Sequence, residues 1–137
     1  MRSREATPII PPFNDEIYPF KAFPPWQALM RVLQRIADVL GRREQPKTLR
    51  LVEVRLFQAG KRVFQLSCGE LTPAQWHRRV CIAIDRLEQA KRAALDYASA
   101  EKITPAEAQA LIAAIDDTIA RLGEATAQVP LPEDCVH

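Results

Sequence analysis

His77 and Cys81 stand four residues apart in WHRRVCIAID, a spacing that puts both side chains on one edge of a helix and suits a pair of metal ligands. Cys68 just upstream, with Cys135 or His137 at the end of the chain, would complete a four-ligand zinc set. No CxxC or HxxxH pair supports it, and sparse cysteines commonly pack as small hydrophobes, so the expectation is ordinary thiols and no metal. The same two residues form a minimal thiol–imidazole pair, in which the ring would lower the thiol pKa and act as a base. A helix interior seldom presents both groups to a cleft, and no third orienting group or oxyanion motif accompanies them. Asp116-Asp117 and Asp85/Glu88 supply carboxylates, but each falls on the polar side of an expected helix, where carboxylates are solvated. The four glycines form neither GxGxxG nor GxxxxGK, so there is no glycine-rich phosphate cradle. The chain therefore reads as a non-enzyme without a cofactor.

The basic residues are grouped more suggestively: Arg42-Arg43, Lys47 with Arg50, Lys61-Arg62 and Arg78-Arg79. Residues 1–92 hold seventeen Lys/Arg against nine Asp/Glu, and residues 93–137 hold two against eight, so the formal net charge of +2 conceals +8 followed by −6. Clustered cations raise the local potential and attract an anionic partner, which makes nucleic acid a candidate ligand. Contacts of this kind go to phosphates and position a protein without reading bases. Arg79, Arg86, Lys91 and Arg92 offer the alternative use, pairing with the acidic Glu107, Asp116 and Asp117 of a later helix.

At 137 residues the chain suits one domain with its own core. Its 47% hydrophobic and 26% charged content lie near globular averages. Nothing in it approaches the roughly 20 apolar residues of a membrane span, and MRSREATPIIPP lacks the apolar region of a secretory signal. Three sparse cysteines favour reduced thiols over a disulfide framework, which points to the cytoplasm.

Six of the eleven prolines fall within the first 25 residues, interleaved with Phe13, Tyr18, Phe20 and Phe23, which predicts an extended arm over 1–24. Trp26, Leu29, Met30, Leu33, Ile36, Ala37 and Leu40 then recur at helical spacing before Gly41, giving a helix over about 25–40. TLRLVEVRLFQ alternates apolar and polar residues, with Val52, Val54 and Leu56 on one face, and AGKR separates it from VFQLSC; this reads as a two-stranded antiparallel β-hairpin around Gly60. Thr72-Pro73-Ala74-Gln75 and Thr104-Pro105-Ala106-Glu107 are capping-box starts for helices over about 73–98 and from 105 to Gly123. These two should form a long antiparallel αα-hairpin, with Trp76, Val80, Ala83, Ile84, Leu87, Ala90 and Ala94 in its seam. The expected class is α+β: the arm, a compact domain over 25–123, and an acidic flexible tail over 124–137.

The function expected from these features is protein–protein interaction, as an adaptor, inhibitor or assembly factor of bacterial or phage accessory type. Tyr18, Phe20, Phe23 and Trp26 are its contact candidates. Nucleic-acid binding through Arg42, Arg43, Lys47, Arg50, Lys61, Arg62, Arg78 and Arg79 is the alternative. The open edge of a lone hairpin offers a route to a homodimer.

Overall fold

Apolar residues that alternate three and four positions apart keep facing one neighbour along a helix, and this chain repeats that spacing four times. In the computed structural model, which describes residues 23–41, 49–67 and 71–131, they lie on α1 (Pro24–Leu40), α2 (Arg50–Ser67), α3 (Pro73–Ser99) and α4 (Pro105–Thr126). The buried stripe is Leu29, Val32, Ile36 and Val39 on α1, and Val52, Leu56, Ala59, Val63 and Leu66 on α2. On α3 it is Trp76, Val80, Ala83, Leu87, Ala90 and Ala94; on α4 it is Ala108, Leu111, Ile115, Thr118, Leu122 and Ala125. One core results, and the helices ring it in the order α1, α2, α3, α4, with α4 returning to α1.

Cross-helix contacts give the direction of every pair. Leu51 N donates to Tyr97 Oη at 3.2 Å and Arg79 Nε to Gln65 Oε1 at 3.1 Å, so α2 and α3 are antiparallel. Trp76 Nε1 donates to Thr126 Oγ1 at 3.1 Å and Lys91 Nζ to Asp116 Oδ1 at 2.7 Å, which sets α4 antiparallel to α3. Arg31 reaches Asp117 at 3.0 Å, and the ring of Trp26 lies 6.1 Å from that of Phe64. The described residues thus form an up-down-up-down four-helix bundle.

Local chemistry starts and stops the helices where the sequence signals it. Thr72 Oγ1 accepts from Gln75 N at 3.2 Å while Gln75 Oε1 accepts from Thr72 N at 2.9 Å, and Thr104 and Glu107 repeat the exchange at 3.0 and 2.9 Å. Both capping boxes therefore satisfy amide donors that a helix end leaves orphaned. At the end of α3, Lys102 N donates to Tyr97 O at 2.8 Å and Glu101 N to Ala98 O at 3.0 Å. That is a Schellman arrangement, with Glu101 at φ 61° in the place glycine usually takes.

The expected β-hairpin is overturned. Residues 50–67 are one helix, no strand occurs among the described residues, and the chain is all-α rather than α+β. The alternation Val52, Val54, Leu56 is real but short. Helical spacing runs three times as far, from Val52 to Leu66, and passes straight through the supposed turn: Ala59 is fully buried and Gly60 is interior helix. Burying the stripe against α3 outweighs the strand preference of the valines, because β-propensity largely measures fit to a half-buried surface. The hairpin edge is lost as a dimerisation route with it. At the other end, α4 continues to Thr126 and Val129 is buried, so the packed part reaches past residue 123. The segments 1–22, 42–48, 68–70 and 132–137 lie outside the described residues.

Candidate docking groove between α1 and α2

Helix α2 carries a second row, offset from its core stripe: Val54, Phe57, Lys61 and Phe64, again three and four apart. Because the core stripe faces α3, this row is left outside, with Val54 38% exposed, Phe57 69% and Phe64 42%. Helix α1 sets Trp26, Met30 and Leu33 opposite, and Leu33 is 40% exposed. Between the helices runs an open groove of about 480 Å³, floored by Leu29 and Leu56. Its depth depends on Gly60, where an added Cβ would lie 3.3 Å from Leu29 Cδ2. Glu53 and Lys61 provide the charge, and Lys61 Nζ lies 5.9 Å from the centre of the Phe57 ring. An apolar trough about three turns long with a sparse charged rim suits an amphipathic helix; exposed apolar surface of this kind marks a binding site more often than a lone exposed leucine does.

The anticipated aromatic contacts divide between core and surface. Phe23 is fully buried, its ring 6.4 Å from that of Trp76 and nearly perpendicular to it, so it anchors the start of α1 within the protein's own core. Trp26 is half-buried and lines the groove. Tyr18 and Phe20 lie outside the described residues.

The basic clusters divide as well. Gln65 Oε1 accepts from Arg62 Nη1 at 3.2 Å and from Arg79 Nε at 3.1 Å, which draws two of the clusters together on the α2–α3 seam. Lys61, next to Arg62 in sequence, faces the α1 side instead. Arg50 lies at the far end of α2, Arg78 is exposed on α3, and Arg42, Arg43 and Lys47 fall outside the described residues. Several other cations are neutralised locally: Arg31 by Asp117, Arg86 by Asp85, and Arg121 by Asp117 and Glu124. Lys91 bridges to the acidic helix as its sequence position suggested. Its hydrogen bond to Asp116 outweighs the desolvation around it and raises its pKa above 10.5, with Glu88 adding to the effect.

His77 Nε2 lies 3.1 Å from Pro130 O. A carbonyl can only accept, so Nε2 carries the proton and donates. Cys81 is exposed one turn away, and Cys68, Cys135 and His137 lie outside the described residues. Among the described residues no three His, Cys, Asp or Glu side chains are placed to hold a metal. Nor is any described helix long and apolar enough to cross a membrane.

Sequence reasoning missed Leu33, Phe57 and Phe64. The signal was present in the 54-57-61-64 spacing, but it carries meaning only once residues 50–67 are read as helix. The fold and groove define a small four-helix bundle with an inter-helix trough that is open among the described residues. No known protein family, curated protein or solved structure matches the chain.

Proposed function

We propose that this protein is a non-enzymatic interaction module, an adaptor, inhibitor or assembly factor acting in the cytoplasm, and that it receives an amphipathic helix in the α1/α2 groove. The exposure of Phe57, at 69% on the rim of an apolar trough, carries this reading. Covering Phe57, Phe64 and Leu33 is worth roughly 1 to 2 kcal/mol each, against an association cost of about 4 kcal/mol or more. Apolar contact alone therefore gives weak, exchangeable binding, and affinity comes from the rim. Display of a helical peptide library against the full chain tests the idea. The expected winners carry apolar residues at i, i+3 or i+4, and i+7, and lose binding to Phe57→Glu. An absence of binders, or binders indifferent to Phe57→Glu, would refute it.

Nucleic-acid binding stands as a second reading because Gln65 gathers the Arg62 and Arg79 guanidinium groups on one seam. Fluorescence anisotropy of labelled DNA and RNA would show affinity falling steeply with salt and lost in Arg62→Glu/Arg79→Glu. Binding absent even at low salt removes this alternative.

A further inference from the structure

The groove is charged asymmetrically along α2, and the asymmetry is centred on one residue. Glu53 lies four residues before Phe57 and Lys61 four residues after it, each about 6 Å along the helix axis from it. Both charges line the groove, and neither forms an ion pair among the described residues. Arg50 and Phe64 lie seven residues to either side of the same centre, and both are exposed. We propose that the occupant of the groove is a second copy of this chain, with the two α2 helices antiparallel about a twofold axis through Phe57.

The argument is one of charge complementarity under symmetry. A twofold axis makes an interface self-complementary, so each contact occurs twice. Antiparallel α2 helices centred on Phe57 bring Glu53 of one copy level with Lys61 of the other, and Arg50 level with Phe64, whose ring face attracts a cation. The two Phe57 side chains meet at the axis and leave water together. A parallel, in-register pairing would set Lys61 against Lys61 and Glu53 against Glu53, and two like-charge contacts disfavour it. Leu33 and Trp26 of α1 flank the axis on the same face and would be covered in the same step. The proposal rests on the reading of the groove as a helix-docking site and names its partner.

Sedimentation of the full-length chain tests it, since a dimer has twice the 15.5 kDa of one chain. The expected result is a concentration-dependent dimer. Glu53→Lys and Lys61→Glu should each weaken it by about tenfold or more, because each creates like-charge contacts twice over. The double variant Glu53→Lys/Lys61→Glu should restore it, and this rescue is specific to the antiparallel register because the two residues are too far apart to pair within one helix. A dimer that tolerates both single changes, or that the double change fails to rescue, overturns the proposal. So does a monomer at every accessible concentration. If that monomer still selects groove-dependent peptides, the docking function survives with a different partner; if it selects none, both readings fail. A monomer destabilised by Phe57→Glu would assign the groove to the chain's own residues 1–22, which also overturns the proposal.

Discussion

Two glycines within helices make opposed predictions when each is changed to alanine. Alanine is favoured over glycine inside a helix by about 1 kcal/mol, because it fixes less backbone freedom on folding. At Gly123 on α4 nothing lies within 4 Å of the position a Cβ would take, so Gly123→Ala should realise most of that gain. At Gly60 the new methyl meets Leu29 Cδ2 at 3.3 Å, and Leu29 is a fully enclosed core residue with little room to withdraw. Overpacking of this kind costs about 1 to 3 kcal/mol, so Gly60→Ala should range from no net change to a loss of about 2 kcal/mol, the propensity gain of about 1 kcal/mol being subtracted. Urea unfolding followed by helical circular dichroism resolves the difference, since m values of about 1 to 3 kcal/mol per molar place the two midpoints roughly a third of a molar or more apart. Equal stabilisation by both substitutions would refute the close approach of α1 and α2 at Gly60. A fall with Gly123→Ala would refute the open surface of α4.

Three further outcomes follow from the same structure. Glu101→Gly should raise stability by about 1 kcal/mol, or a few degrees in Tm, by relieving a side chain held at φ 61° in the α3–α4 turn; an unchanged or lowered Tm counts against that geometry. Thr72→Ala and Thr104→Ala should each cost about 1 kcal/mol, and changing both should cost the sum, since the caps share no partner; a neutral result in chemical denaturation would show that a cap is not formed. Lys91 holds its proton more tightly folded than unfolded, so its bridge to Asp116 contributes fully below pH 10.5 and is lost as pH rises through its higher folded-state pKa. Unfolding curves taken in that alkaline window should fall more steeply for the native chain than for Lys91→Met, and parallel slopes would contradict the bridge.

The aromatic arm shows how position decides a role that residue type leaves open. Phe23 and Trp26 are three residues apart, both aromatic, and both suggested a partner surface. Phe23 ends in the core against Trp76, while Trp26 remains at the groove, because the helix that begins at Pro24 turns one side to the bundle and the other to the α2 seam. The paired cations behave likewise. Lys61 and Arg62 are neighbours in sequence but point to opposite flanks of α2, since successive helix residues are turned by about 100°.

By itself the sequence determined α1 and α3 to within about one residue at each end and the start of α4, whose end lies three residues past the expected Gly123, because capping and helical periodicity are short-range and the residues that make them are contiguous. Thr72 with Gln75, Thr104 with Glu107, and the alanine-rich seam from Trp76 to Ala94 needed no partner to be legible. Only the tertiary structure decided α2. Five residues from Val52 to Leu56 fit both a strand and a helix, and the choice depends on whether Ala59, Val63 and Leu66 also find a surface to bury against, which α3 supplies. The groove was settled at the same level. Phe57, Phe64 and Leu33 are ordinary core residues by type, and they stay exposed because α2 gives its better stripe to α3 and leaves the α1 seam open.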